Sequence, residues 1–195
     1  MITAALVVGQ GGRVAAYEDA LLDRRSVREF AERPLDAEAL RDLAHLVAEE
    51  CARAAGTLLP VAAVRLGSPE LGNGWYSADP ELVPLPGAGP ADGAQLVECL
   101  LQQSLARAAA MLVVLGDLGH ALADGGPAAY SALYLRAGAA LGRAWVAASA
   151  YGIGACMTAG VLEPGFRALP GADAYRRAPL AALCLGYPSE RAWMP

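Results

Sequence analysis

The sequence predicts a single α+β domain over residues 1–195, with helices around a small mixed sheet and one long central helix. Three observations carry the prediction. Helical and strand-like segments follow one another in the order α-α-β-β-β-α-β-α-β. Met111 to Leu115 is an unbroken apolar run, the pattern of a fully buried strand. Residues 128–151 form the longest helical stretch, and most of its sides are small: Ala137, Gly138, Ala140, Gly142, Ala144, Ala147 and Ala148. Leu133, Leu141 and Trp145 mark one line along it, so neighbours can approach closely on more than one face. That marks it as a core or interface helix.

The elements read as follows. Residues 16–23 suggest a short helix ending in a basic turn, after an N-terminal extension over 1–15. Asp36 is a plausible N-cap for a helix running to about Arg53, with Leu40, Leu43, Ala44 and Val47 as its apolar stripe. His45 falls on the polar side, the place of a solvated histidine rather than a ligand. Val61 to Leu66 reads as a strand, and Trp75-Tyr76 with Leu82-Val83 as a hairpin broken by Asp79-Pro80. Gln95 to Ala108 reads as helix and Gly116 to Pro127 as loop with room for a helical turn. A short helix near 163–169 and a strand at Leu180 to Leu185 complete the pattern.

Composition excludes several function classes. The chain is 55% hydrophobic and 18% charged, with a formal net charge of −5, and its mean hydropathy is +0.34. That apolar balance points to surface buried against another chain, although much of it is alanine, which biased genomic composition also produces. Nucleic acid is excluded as a partner, because duplex binding needs clustered cations and no basic stretch exceeds two residues. Cys51, Cys99, Cys156 and Cys184 form no CxxC pair, and each lies in apolar sequence, as reduced structural cysteines do. No ligand spacing suggests a metal. Ala144 to Leu162 is uncharged for 19 residues, long enough to span a bilayer. Gly152 and Gly154 break it midway, so a buried helix, a turn and a strand explain it better. The expectation is a soluble cytoplasmic protein with no membrane contact.

Two local signals carry chemistry. Arg24-Arg25-Ser26-Val27-Arg28-Glu29-Phe30 can bring three guanidiniums and a hydroxyl to one phosphate, since the arginine fork matches phosphate oxygens. The alternative is a solvated basic turn complementing a helix end. Gly152-Ile153-Gly154-Ala155-Cys156-Met157-Thr158-Ala159-Gly160 can let backbone amides approach a flat ligand, or simply cap the helix and start a strand. It is no dinucleotide fingerprint, because no GxGxxG opens a helix after a strand.

Together these motifs, in this order and followed by Pro34-Leu35 and a helix, resemble the FMN-dependent nitroreductases over roughly residues 17–190. Ala137-Gly138 through Trp145, Ala148 and Tyr151-Gly152-Ile153-Gly154-Ala155 resemble their central helix and the turn after it. More narrowly, Ala55 to Pro60, Gly74 to Glu81 and Leu185-Gly186-Tyr187-Pro188 resemble the azoline-oxidising branch, flavin dehydrogenases that make thiazoles and oxazoles in modified peptides. The resemblance implies a nitroreductase-like fold and an obligate homodimer with two FMN sites between subunits. By motif position, Arg24, Arg25, Ser26 and Arg28 hold the FMN phosphate and ribityl chain. Met157, Thr158 and Gly160 lie along the isoalloxazine. Arg191 is a further phosphate candidate, with an exposed tail arginine as the alternative.

One departure stands out. The azoline oxidases carry a Lys-Tyr pair before the central helix, and the corresponding positions here are Asp124-Gly125, with no lysine near. Asp124, Tyr130, His120 or Tyr134 are the available replacements for a base. The resemblance implies an FMN-dependent dehydrogenase acting on a peptide or small-molecule substrate, within natural-product biosynthesis and alongside other biosynthetic enzymes. An NAD(P)H-dependent nitro, quinone or enone reductase and a catalytically silent scaffold or peptide-binding subunit are the alternatives.

Overall fold

The computed structural model describes residues 20–193, except 23, 55, 56 and 80. The expected N-terminal extension and most of the helix over 16–23 lie outside the described residues, as do Ala55-Gly56 and Pro80. A six-stranded sheet forms the middle layer. Its strands are β1 (Leu58–Val64), β2 (Gly74–Ala78), β3 (Leu82–Pro84), β4 (Ala110–Gly116), β5 (Gly154–Thr158) and β6 (Ala178–Gly186), in the spatial order β3-β2-β1-β4-β6-β5. Every neighbouring pair is antiparallel. The expected mixed sheet is thus corrected to an antiparallel one, because hydrophobic periodicity records which face a residue takes and not which way its strand runs.

Alternation along β4 divides the core in two. Leu112 and Val114 join the cluster under helices α1 (Ala37–Ala52) and α3 (Leu118–Ala150). Met111, Val113 and Leu115 point to the other face, with α2 (Gly93–Cys99) and α4 (Glu163–Phe166). Both faces are covered, which is why the run is apolar at every position. On the second face Trp75 meets Phe166 edge-on, with centroids 6.0 Å apart. Its Nε1 donates to the Pro90 carbonyl at 3.2 Å, so the indole is buried with its one donor satisfied.

α1 forms as its sequence predicts. The Asp36 carboxylate accepts from Ala39 N at 2.9 Å, and Leu40, Leu43, Ala44 and Val47 are buried. His45 is exposed and lies 3.7 Å from Glu49. Two other helices differ from expectation. The stretch read as one helix to Ala108 stops at Cys99. Leu100 turns extended (φ −128, ψ 129), bridges Val161, and the chain resumes as a 3-10 turn over Gln103–Arg107. Pairing with the segment after β5 outweighs continued helix there.

The stretch read as loop from Gly116 to Pro127 is helical from Leu118. Asp117 caps it by accepting from His120 N at 2.8 Å, and the Tyr175 carbonyl accepts from Leu118 N at 2.8 Å. Gly126 then leaves helical geometry (φ 58, ψ −150). That value suits glycine, and Pro127 restarts the helix where its missing N–H costs no bond. α3 is therefore two helical pieces joined at a bend.

Candidate functional site

The two chemistry-bearing motifs are far apart in sequence, and the sheet brings them together. Val27 N donates to the Ala155 carbonyl at 3.0 Å, and Ser26 bridges Ala155 in parallel. The basic segment thus lies along the outer edge of β5, and it continues onto the exit of β6. Ala31 N donates to the Tyr187 carbonyl at 2.8 Å, and Ser189 N to the Glu29 carbonyl at 3.0 Å. Glycine permits the contact. A Cβ on Gly154 would sit 2.9 Å from Val27 Cγ2 and 3.0 Å from its Cβ.

At this junction Arg24, Arg25, Trp145, Ser149, Gly152 and Gly154, among others, line a cavity of about 190 Å³. The Arg24 guanidinium lies over the Trp145 ring, 3.9 Å from its centroid. Arg25 Nη1 donates to the Leu22 and Arg24 carbonyls at 2.9 and 3.0 Å. Ser26 and Arg28 sit instead beside the Cys156 thiol. Burial raises that thiol's pKa, while the Arg28 charge and hydrogen bonds with Ser26 and Arg28 act in the opposite sense. Arg191 is exposed in the turn Glu190–Trp193, two residues beyond the Ser189–Glu29 contact.

Further along β5, Met157 and Thr158 are half-buried, and the Thr158 hydroxyl accepts from Gly160 N at 3.0 Å. The Gly160 carbonyl in turn accepts from Leu101 N at 2.8 Å, and the Cys99 carbonyl from Leu162 N at 2.8 Å. The break after α2 therefore fixes the backbone of the strip 158–162, at the far end of β5 from the cavity.

The proposed proton-handling residues lie elsewhere. Asp124 and Tyr130 are exposed on α3, on either side of the bend at Gly126, and neither lines the cavity. Asp124 is 3.1 Å from His120 Nε2. The Tyr130 and Tyr134 hydroxyls are 3.4 Å apart. Burial, followed by the hydrogen bond and charge of Tyr130, pushes the Tyr134 hydroxyl up to about 12.

The donor set suits a phosphate monoester. Among the described residues Arg24, Arg25, Arg28 and Arg191 form no ion pair. Ser189, in the turn that leads to Arg191, carries the one buried side-chain oxygen without a partner among the described residues. At about 190 Å³, the cavity is smaller than the roughly 300 Å³ lower bound for small-molecule pockets, so it has room for only part of a nucleotide-sized ligand. Trp145 and Ser149 were not singled out as site residues from sequence. Their signal was available: both lie one helical turn apart on α3, immediately before the glycine turn.

Comparison with known proteins matches residues 21–187 to the model of the nitroreductase family. No curated protein matches the chain. Among solved structures, a candidate nitroreductase from Anabaena variabilis superposes with a TM-score of 0.72 at 21% identity, over 89% of this chain. The chain spans 38% of the length of that protein. A candidate nitroreductase from Desulfovibrio desulfuricans, solved in complex with FMN, gives 0.61 at 17% identity over 94% of this chain and 92% of its own. A candidate NAD(P)H:FMN oxidoreductase from Staphylococcus epidermidis gives 0.64 at 14% identity, with the same coverage of 94% and 92%. Among the described residues no helix is long and apolar enough to cross a membrane.

Proposed function

We propose that this chain, which belongs to the nitroreductase family over residues 21–187, is an FMN-dependent oxidoreductase that works as a homodimer. The observation that carries the reading is the pairing of the basic segment onto the edge of β5, which sets unpaired guanidiniums against a glycine turn and a small cavity. Arg24 and Arg25 bind the phosphate end in the cavity, where charge-assisted hydrogen bonds are strongest; Ser26 and Arg28, on the Cys156 side, hold the ribityl chain, and Arg191 is a further phosphate contact. Met157, Thr158 and Gly160 offer the strip along which the ring system lies. The flavin supplies two-electron hydride chemistry when bound.

The homodimer is supported by the open side of α3. Ser131, Leu135, Gly138, Gly142, Trp145 and Ser149 alternate at spacings of four and three, which places them on one stripe. A Cβ on Gly138 would have nothing within 4 Å, and Leu135 is 74% exposed. The stripe runs into the cavity at Trp145 and Ser149, so a second copy packed there would extend a site that one subunit leaves shallow.

For the substrate we propose an azoline or related group in a modified peptide, oxidised by loss of two hydrogens. The support is the resemblance at 55–60, 74–81 and 185–188. Where described, several of these residues are architectural: Trp75 packs on Phe166, the Tyr76 hydroxyl donates to the Gly72 carbonyl at 2.8 Å, and Tyr187 stacks with Arg33 at 4.0 Å. The second reading, an NAD(P)H-dependent reductase, is favoured by Asp124-Gly125 standing where the azoline oxidases carry Lys-Tyr.

An absorption spectrum of the purified protein, with mass spectrometry of the released cofactor, tests the first step. Bound FMN is expected. Arg24→Ala combined with Arg28→Ala should give folded, colourless protein with FMN affinity at least about a hundredfold lower; stoichiometric FMN in that variant would overturn the site. Bleaching by NADH selects the reductase, whereas loss of two mass units from an azoline peptide selects the dehydrogenase.

A further inference from the structure

We infer that Trp145 is a positioning residue for the cofactor phosphate, acting through Arg24. The inference rests on the FMN reading above and adds a residue that neither the basic motif nor the glycine turn contains. An arginine can be held in place by hydrogen bonds from its guanidinium, but each such bond removes a donor from ligand binding. Arg25 illustrates this, with Nη1 committed to the Leu22 and Arg24 carbonyls. Arg65 is a stronger case. Its Nε donates to the Ala108 carbonyl at 2.8 Å, and Nη2 donates to Glu32 at 3.0 Å and to the Arg107 carbonyl at 2.6 Å.

Arg24 is held differently. Among the described residues its guanidinium makes no hydrogen bond and no ion pair, yet it stands 3.9 Å over the Trp145 ring. Stacking restrains the plane of the guanidinium and leaves its five in-plane N–H donors available. Both partners line the same cavity. Trp145 is only half-buried, so the contact is desolvated on one side and open to the ligand on the other. Position on the helix fixes the geometry. Ala144 and Ala148, flanking Trp145 on α3, are fully buried against the sheet, which anchors the turn that carries the indole. Arg33 over Tyr187 is a similar pair at 4.0 Å, but neither residue lines this cavity, and it serves as a control.

The test measures FMN and riboflavin affinity, by flavin fluorescence, for wild type, Trp145→Leu, Trp145→Phe, Arg24→Ala, Arg33→Ala and the Arg24→Ala/Trp145→Leu double variant. Riboflavin lacks the phosphate. Trp145→Leu should weaken FMN about tenfold and leave riboflavin unchanged. Trp145→Phe keeps an aromatic face and should recover most of the loss. Arg24→Ala should weaken FMN further, the double variant should be no weaker than Arg24→Ala alone, and Arg33→Ala should match wild type. Equal loss of FMN and riboflavin in Trp145→Leu would show an indole–ring contact or a fold defect and overturn the inference. So would additive losses in the double variant, or wild-type FMN affinity in Trp145→Leu. If wild type binds neither flavin, the FMN reading itself fails. Quenching of tryptophan emission by inorganic phosphate, lost in Arg24→Ala and in Trp145→Leu, then supports the pair as an anion site, and its absence in wild type overturns it.

Discussion

The chain has two Arg-Arg pairs, and they lie at opposite ends of β6. Arg24-Arg25 stands near Gly186, and Arg176-Arg177 precedes Ala178. The second pair borders the larger cavity, about 330 Å³ against about 190 Å³. With two arginines lining each cavity, volume alone would make it the better anion site. Its surroundings decide otherwise. Asp117 lines that cavity, and the Asp173 carboxylate accepts from the backbone N–H groups of Tyr175, Arg176 and Arg177 at 2.7–3.1 Å. Arg177 Nη1 is committed to the Pro170 carbonyl at 2.9 Å. At neither end does a carboxylate form an ion pair with these guanidiniums among the described residues; the difference is that Asp117 lines the second cavity, whereas no described carboxylate lines the first. The charge of the cavity wall, not the number of arginines, separates the two ends.

The sharpest way to break this comparison is to strip each end in turn. Arg176→Ala with Arg177→Ala should keep wild-type FMN content, whereas Arg24→Ala with Arg28→Ala loses it. Equal loss from both pairs would mean that general positive potential, rather than the β5 edge, retains the cofactor.

Glycines give the next contrast. Gly154→Ala places a methyl against Val27, which is buried and tied to Ala155, so about 1–3 kcal/mol of stability should be lost along with part of the FMN affinity. At the other end Gly119→Ala meets the Tyr175 ring. That ring is 54% exposed and can swing away, so the cost should stay within about 1 kcal/mol. Thermal melting of the two variants side by side ranks them, and a larger loss for Gly119→Ala would contradict the account.

The smallest expected effect concerns pH. The hydrogen bonds from Tyr175, Arg177 and Arg176 hold the Asp173 carboxyl below its ordinary 3.8. A lowered folded-state value means that the ionised form is favoured on folding. Its contribution is complete above about pH 3.8 and is lost as the pH falls through the lowered value. An NMR titration should find the Asp173 midpoint below that of an unstructured aspartate, and an ordinary midpoint would show that the loop is not held as described.

Much of this architecture was legible beforehand, and the misses have physical causes. α1 was readable because cap, stripe and polar face agree. β4 was readable because a strand covered on both sides must be apolar throughout. The start of α3 was missed because Gly125-Gly126-Pro127 looks like a breaker, yet a cap at Asp117 and the Tyr175 carbonyl stabilise the helix before it. The end of α2 was missed because Leu100 gains more by bridging Val161 than by extending its helix, a contact 61 residues away that no local pattern records. The basic motif and the glycine turn were both visible, but not that Ser26 and Arg28 face Cys156 while Arg24 and Arg25 face Trp145. Which side of β5 each residue takes depends on the Ser26–Ala155 register.

The strand order also has a consequence in time. β5 is held in the sheet by β6, and β6 leaves the ribosome after the five other described strands. While the chain is being made, residues 154–158 emerge before the neighbour that will hold them exists. β1, β2 and β4 can already be paired by then. The edge that receives Arg24 to Arg28 is therefore assembled late in synthesis, after β6 closes against β4. A nascent chain stalled before residue 178 would carry the arginines and most of the core but no cradle for them.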